Sequence, residues 1–203
     1  MNATSARERT SAADPGVSVD TATALRAGYS TVAAMTILAL VRGAFGVIWF
    51  NETLWKLPWK NYGCPSSFEL KGSGLCDWIG REIAHPPFGL YQAFLTNLVG
   101  PNIRLVGLGV WLAETTIAVL LVLGLFTRLG GLIATLQSLN LLIGLWNVPG
   151  EWRSAYVMLV ALSLIFLVVP AGRFLGADRF VLPRLAPAAA RGNAIARLLV
   201  RLM

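Results

Sequence analysis

Apolar residues in this chain gather into long blocks separated by short polar breaks, with little strict alternation. A membrane-spanning helix needs about 20 mostly apolar residues, because each residue advances about 1.5 Å through a hydrocarbon layer about 30 Å thick. Four blocks come near that length, at about 29–55, 103–126, 129–146 and 152–169. Backbone in lipid must satisfy its own hydrogen bonds, so each block reads as a helix. The third and fourth are short and extend into the interface. The pattern therefore predicts an all-α membrane protein. Its core is a four-transmembrane-helix bundle over 29–172, with a long outer loop, 56–102, between helices 1 and 2. Residues 1–28 are polar and small and predict a disordered cytoplasmic tail. Residues 173–203 predict a basic tail at the cytoplasmic interface. There, Ile195, Leu198, Leu199 and Leu202 fall at i, i+3, i+4 and i+7, with Arg191, Arg197 and Arg201 mostly off the stripe. That is a basic amphipathic helix suited to the inner leaflet, with docking on a partner as the alternative.

Composition strengthens this reading. Of 203 residues, 56% are hydrophobic and 13% charged, more apolar surface than a soluble domain of this length can hide. The net charge of +7 raises the question of nucleic acid, but no basic patch with interleaved aromatics is present. The arginines instead mark orientation. Arg7, Arg9 and Arg26, then Arg128, then Arg173, Arg179, Arg184, Arg191, Arg197 and Arg201 all fall on one side of a four-span bundle. The positive-inside rule makes that side the cytoplasm. The expectation is a multi-pass protein of the inner (plasma) membrane with both termini cytoplasmic. Lys56, Lys60, Lys71 and Arg81 in the outer loop count against it. Trp55, Trp59, Trp146 and Trp152 suit a belt at the outer interface. The first residues lack the apolar core of a signal peptide, so none is expected.

The outer loop holds both cysteines, Cys64 and Cys76. In an oxidising compartment the short gap between them suits a disulfide. A redox-active pair is the other reading, although the spacing is not C-x-x-C. The single histidine, His85, gives no metal site. "HPPFGLYQAFLTNLV" reads as a short apolar helix on the outer surface, placed as a lid over the bundle. One histidine and two cysteines exclude bis-histidine haem and ordinary iron–sulfur ligation, and no glycine-rich nucleotide loop is present. Redox chemistry in such a chain has to run through a bound quinone or a partner.

Ionisable residues inside the apolar blocks are the main candidates for function. "WLAETTIAVLLVLGLFTR" carries Glu114 about 11 residues into the second helix, and Arg42 lies about 13 residues into the first. A lone charge at mid-membrane costs at least about 2.5 kcal/mol, so the expectation is an Arg42–Glu114 pair. Gln137 and Asn140, at i and i+3 on the third helix, reach similar depth. The cluster is either a ligand site or a device that fixes helix register. Arg128, at a helix end, either holds the turn at the phosphate level or contacts a ligand.

"RGAFGVIWFNETLWKLPW", with Arg42, Gly46, Lys56 and Leu57, resembles the first-helix signature of the DoxX/DoxD family. "AETTIAVLLVLGLFTRLGGLIATLQSLNLLIGL" resembles its second and third helices, with Glu114, Gly124, Thr127 and Arg128. "GRFLGADRFVLPR" resembles its closing segment, with Gly172, Arg173, Gly176 and Asp178. Together these segments span about residues 36–183. Asn51 and Glu52 depart from the family pattern, standing where small residues are usual. "HPPFGLYQAFL" and "VGPN" look closer to the DoxD branch, the small subunit of thiosulfate:quinone oxidoreductase. The resemblance implies a subunit that works with a partner, oxidising thiosulfate to tetrathionate while a membrane quinone takes the electrons. On that implication Arg42 and Glu114 are catalytic, and Arg42, Glu114, Gln137, Asn140 and Arg128 hold the quinone. Lys56, Trp59 and Lys60 then attract the anionic sulfur substrate. A non-catalytic assembly or anchoring subunit of a larger redox complex is the alternative. A small-solute or lipid-handling membrane protein is the second.

Overall fold

The computed structural model describes the backbone from Gly16 and side chains from Thr31 onward. The expected tail thus lies outside the described residues up to position 15. Helix α1 runs Gly16–Trp55 and so begins well before the apolar block. No proline interrupts it, and Ala, Val, Leu and Arg at 17–27 are acceptable to a helix. The segment up to Met35 forms one unit and Thr36–Met203 a second.

In the second unit, α1 continues to Trp55 and is followed by α2 (Gly74–Ala84), α3 (Gly89–Phe94), α4 (Ile103–Leu123), α5 (Thr127–Gly144), α6 (Arg153–Val168), α7 (Asp178–Ala190) and α8 (Ala194–Leu202). No strand occurs among the described residues. Thr31–Trp55 and α4 are long and apolar enough to cross a membrane, while α6 is a shorter apolar helix. Gly124, at φ +64°, ends α4 in the left-handed conformation that glycine adopts without strain.

Phe45 and Trp49 of α1, Ile117 and Leu121 of α4, Ala134 of α5 and Phe166 of α6 share one buried core. Close approach rests on small residues. A Cβ at Gly46 would lie 2.8 Å from Val122, and one at Gly131 would lie 2.3 Å from the Leu167 nitrogen. The outward faces are apolar instead: Ile37, Leu40, Leu105, Leu136 and Met158 are all exposed. This inside-out surface is that of a membrane protein.

The stretch expected as a loop, 56–102, is a folded cap. It comprises a 3₁₀ turn over Pro58–Gly63, α2, and α3 continuing into a wider π turn over Leu95–Val99. Cys64 and Cys76 are joined by a disulfide with Cα atoms 5.3 Å apart. They belong to a second core with Tyr62, Leu75, Ile79, Leu95 and Ile103. The Tyr62 ring seats the cap on α4, where a Cβ at Gly107 would lie 2.7 Å from it. At the opposite end of the bundle, the tail is two helices. Asn193 caps α8 by accepting from the Ala196 N–H at 3.0 Å. Ile195 and Leu198 of its apolar stripe stay exposed.

Candidate functional site

Arg42 and Glu114 do not pair. The register of antiparallel α1 and α4 sets Arg42 beside the C-terminal end of α4, whereas Glu114 lies at the middle of that helix. Arg42 lies against Gly124, ten positions further along α4 than Glu114, roughly 15 Å away. The Arg42 guanidinium is buried and donates to the Ala171 carbonyl at 2.8 Å and the Leu175 carbonyl at 3.0 Å. Next to it, buried Asp178 accepts from the Phe126 N–H at 2.7 Å and the Thr127 hydroxyl at 2.8 Å. The Thr127 hydroxyl in turn accepts from the Gly172 N–H at 3.0 Å. Glycines make room for this knot: a Cβ at Gly124 would lie 2.4 Å from Arg42, and one at Gly172 would lie 2.3 Å from Asp178. Arg42 therefore ties the α4–α5 turn end to the segment after α6 and reaches no cavity. Arg128 likewise holds backbone, donating to the Val168 carbonyl at 3.0 Å.

Glu114 has a different partner. Lys56, one residue past α1, turns its side chain into the bundle and donates to both carboxylate oxygens, at 2.6 and 2.8 Å. Both residues are buried. Glu52 stands 3.5 Å from the same ammonium, which also lies 4.3 Å from the Trp55 ring centroid. Two opposite charges with satisfied hydrogen bonds offset each other's desolvation.

The pair opens onto a cavity of about 540 Å³ between cap and helices. Its walls are mostly apolar, from Ile48 of α1, Ile79 of α2, Leu95 after α3, Val110 of α4 and Leu159 of α6. Its polar groups are Lys56, Glu114, Glu52, Gln137, Asn140, Glu82, Tyr91 and Tyr156. Trp49 also lines it, and the buried Trp49 indole N–H has no acceptor among the described residues. Glu82 of α2 accepts from the Tyr91 hydroxyl at 2.8 Å. Burial pushes its carboxyl up to about 7, partly countered by that hydrogen bond. Burial and the adjacent Glu82 together raise the Tyr91 hydroxyl.

Of the residues singled out in the sequence, Glu114, Gln137, Asn140 and Lys56 meet at the cavity, whereas Arg42 and Arg128 do not. Trp59 and Lys60, expected beside Lys56 as an anion subsite, are exposed on the outside of the cap, with Trp59 against Trp111. Lys56 is engaged by Glu114, so that subsite is not assembled. Sequence reasoning missed Trp49, Tyr91 and Tyr156 and gave Glu82 no role. The available signal at Glu82 was its place on the apolar side of α2 with Leu75 and Ile79.

Residues 34–201 match the family described as TQO small subunit DoxD. The chain belongs to the DoxD family. No curated protein and no solved structure matches it. The matched DoxD range contains both the Arg42 knot and the cavity, and Arg42, Gly124, Thr127, Gly172, Gly176 and Asp178 all belong to the knot.

Proposed function

We propose that this DoxD chain is the quinone-facing membrane subunit of a thiosulfate:quinone oxidoreductase-type complex. In this reading α1, α4, α5 and α6 cross the inner membrane, the cap faces outward and both tails are cytoplasmic. The observation that carries the proposal is the capped apolar cavity, in which a buried ammonium and an indole N–H without an acceptor meet. A quinone head is flat, neutral and apolar, and its oxygens accept hydrogen bonds. Its size and chemistry fit this donor set.

The charge balance favours a neutral ligand. Among the described residues, Glu52, Glu82 and Glu114 line the cavity against the one cation Lys56. A thiosulfate dianion is repelled there, so the sulfur chemistry belongs on the partner. When bound, the quinone supplies a two-electron acceptor that takes up two protons as two thiosulfates join to give tetrathionate. Lys56 Nζ presents an N–H to the ligand oxygen. Glu114, 2.6 Å from it, orients the ammonium and relays a proton taken up from the aqueous phase to replace the one Lys56 gives.

The test is purification in mild detergent with any co-purifying partner, followed by mass spectrometry of extracted quinone and titration with decylubiquinone. Wild type is expected to carry quinone. The double variant Lys56→Met, Glu114→Gln removes both buried charges together and leaves only the half-exposed Glu52, which keeps its bond from the Trp55 indole N–H, and is expected to bind at least about tenfold more weakly at unchanged thermal stability. Absence of saturable binding by wild type overturns the proposal in favour of a non-catalytic anchoring subunit.

A further inference from the structure

The cavity holds a second carboxyl that the Lys56–Glu114 chemistry leaves unused. Glu82 projects from α2 and is 4% exposed. Among the described residues its hydrogen bond comes from Tyr91 and uses Oε2. The pair is pressed against the end of α5, where a Cβ at Gly144 would lie 2.5 Å from Glu82 Oε2 and 2.6 Å from the Tyr91 hydroxyl. That helix end carries the negative pole of the dipole, which disfavours a carboxylate.

Among the described residues no cation compensates Glu82. On α2, Arg81 is held by Asp77 at 2.8 Å and lies over Trp78, and His85 at the helix end is exposed. From α3 the facing group is Tyr91, and from α5 it is uncharged Asn140. On α1, Lys56 is engaged by Glu114 of α4 and is flanked by Glu52. From α6, Tyr156 donates to Glu151 and lies in the field of Glu82 and Glu52. Among the described residues, the ionisable groups that line the cavity around Glu82 are therefore acidic, phenolic or already paired.

We infer that Glu82 is a second anchor of the site: Tyr91 holds one carboxyl oxygen while the other, protonated, donates a hydrogen bond to the quinone oxygen remote from Lys56. A carboxylic acid kept neutral by an apolar site is a strong donor. Ionised, the same group turns its charge on that oxygen. Binding is therefore linked to the protonation of Glu82, in a range set by its raised carboxyl, about 7. By linkage, the bound quinone holds the proton on more tightly. This assignment rests on the quinone reading of the cavity and adds a named donor to it.

The measurement is the decylubiquinone Kd of the purified chain between pH 5.5 and about 8.5. In wild type, affinity is constant below about 7 and falls by up to about tenfold per pH unit above it. Glu82→Gln cannot ionise, so its Kd is flat across the range. Tyr91→Phe removes a bond that favours the carboxylate, so the midpoint moves to higher pH. Glu82→Asp keeps the titration and guards against a folding defect. A pH-independent Kd in wild type, or the same pH dependence in Glu82→Gln, overturns the Glu82 assignment and leaves the quinone site standing. No saturable binding in wild type overturns the quinone reading itself, and this inference with it.

Discussion

Arg42 shows how a charged residue in an apolar helix can be architectural. Its two guanidinium bonds reach carbonyls at Ala171 and Leu175, and its neighbour Asp178 fixes the turn at Phe126 and Thr127. Removing the guanidinium strands the Ala171 and Leu175 carbonyls, which costs about 1–3 kcal/mol for each buried group left unpaired. Arg42→Gln is therefore expected to lower the unfolding temperature clearly. Decylubiquinone affinity of the protein that remains folded should stay within about twofold of wild type, because Arg42 does not touch the cavity. A large affinity loss with unchanged stability would put Arg42 back in the site. The sequence showed that Arg42 and Glu114 each needed compensation, because a lone charge in an apolar block is expensive anywhere. It did not show by whom. Lys56 and Glu114 pair because α1 and α4 run antiparallel in one particular register, with Gly46 against Val122. Depth counted from an assumed helix start cannot supply that register.

At the scale of elements, the long helices were legible because lipid admits one way to satisfy a backbone. Observed ends for α4, α5 and α6 fall within a few residues of the apolar blocks. The cap was not legible. Its helices are too short for a hydropathy window, and their buried faces are built from scattered residues such as Leu75, Ile79 and Leu95. Its cysteines, and the short apolar helix read from "HPPFGLYQAFLTNLV" and found as α3 with the turn over Leu95–Val99, were the signals that the stretch is folded. Gly74 is where this element is most sensitive. It holds φ +60°, and a Cβ there would lie 2.2 Å from the Gly63 carbonyl carbon, which is backbone and cannot swing aside. Gly74→Ala is expected to destabilise the cap by more than about 2 kcal/mol. Limited proteolysis between Gly63 and Ala84 would rise and quinone affinity would fall. Helical content would barely change, since α1, α4, α5 and α6 do not depend on that turn. If the variant resists protease like wild type, the cap is held by the bundle alone.

At the scale of the molecule, charge and the cavity argue for the same orientation. Arg128, Arg173, Arg179, Arg184, Arg191, Arg197 and Arg201 lie in the segments joined by the Arg42 knot or just beyond it. The cap carries the disulfide and covers the cavity at the other end. Cationic segments resist translocation, and a disulfide persists in an oxidising compartment, so both support the proposed outward cap. Single cysteines report this directly, because the native pair is already bonded. In intact cells stripped of their outer barrier, Lys60→Cys should react with a membrane-impermeant maleimide, and Arg184→Cys should react only after permeabilisation. Both positions are exposed, so lack of reaction means lack of access. The reverse pattern would turn the cap to the cytoplasm and move the partner with it. Equal labelling of both sites before permeabilisation would mean the two ends share a side, which a four-pass bundle cannot give. The expected pattern puts a neutral, membrane-borne ligand within reach of a cavity under an outward cap. It also leaves the dianionic sulfur substrate in the aqueous phase, where a partner can handle it without crossing the acidic lining of Glu52, Glu82 and Glu114.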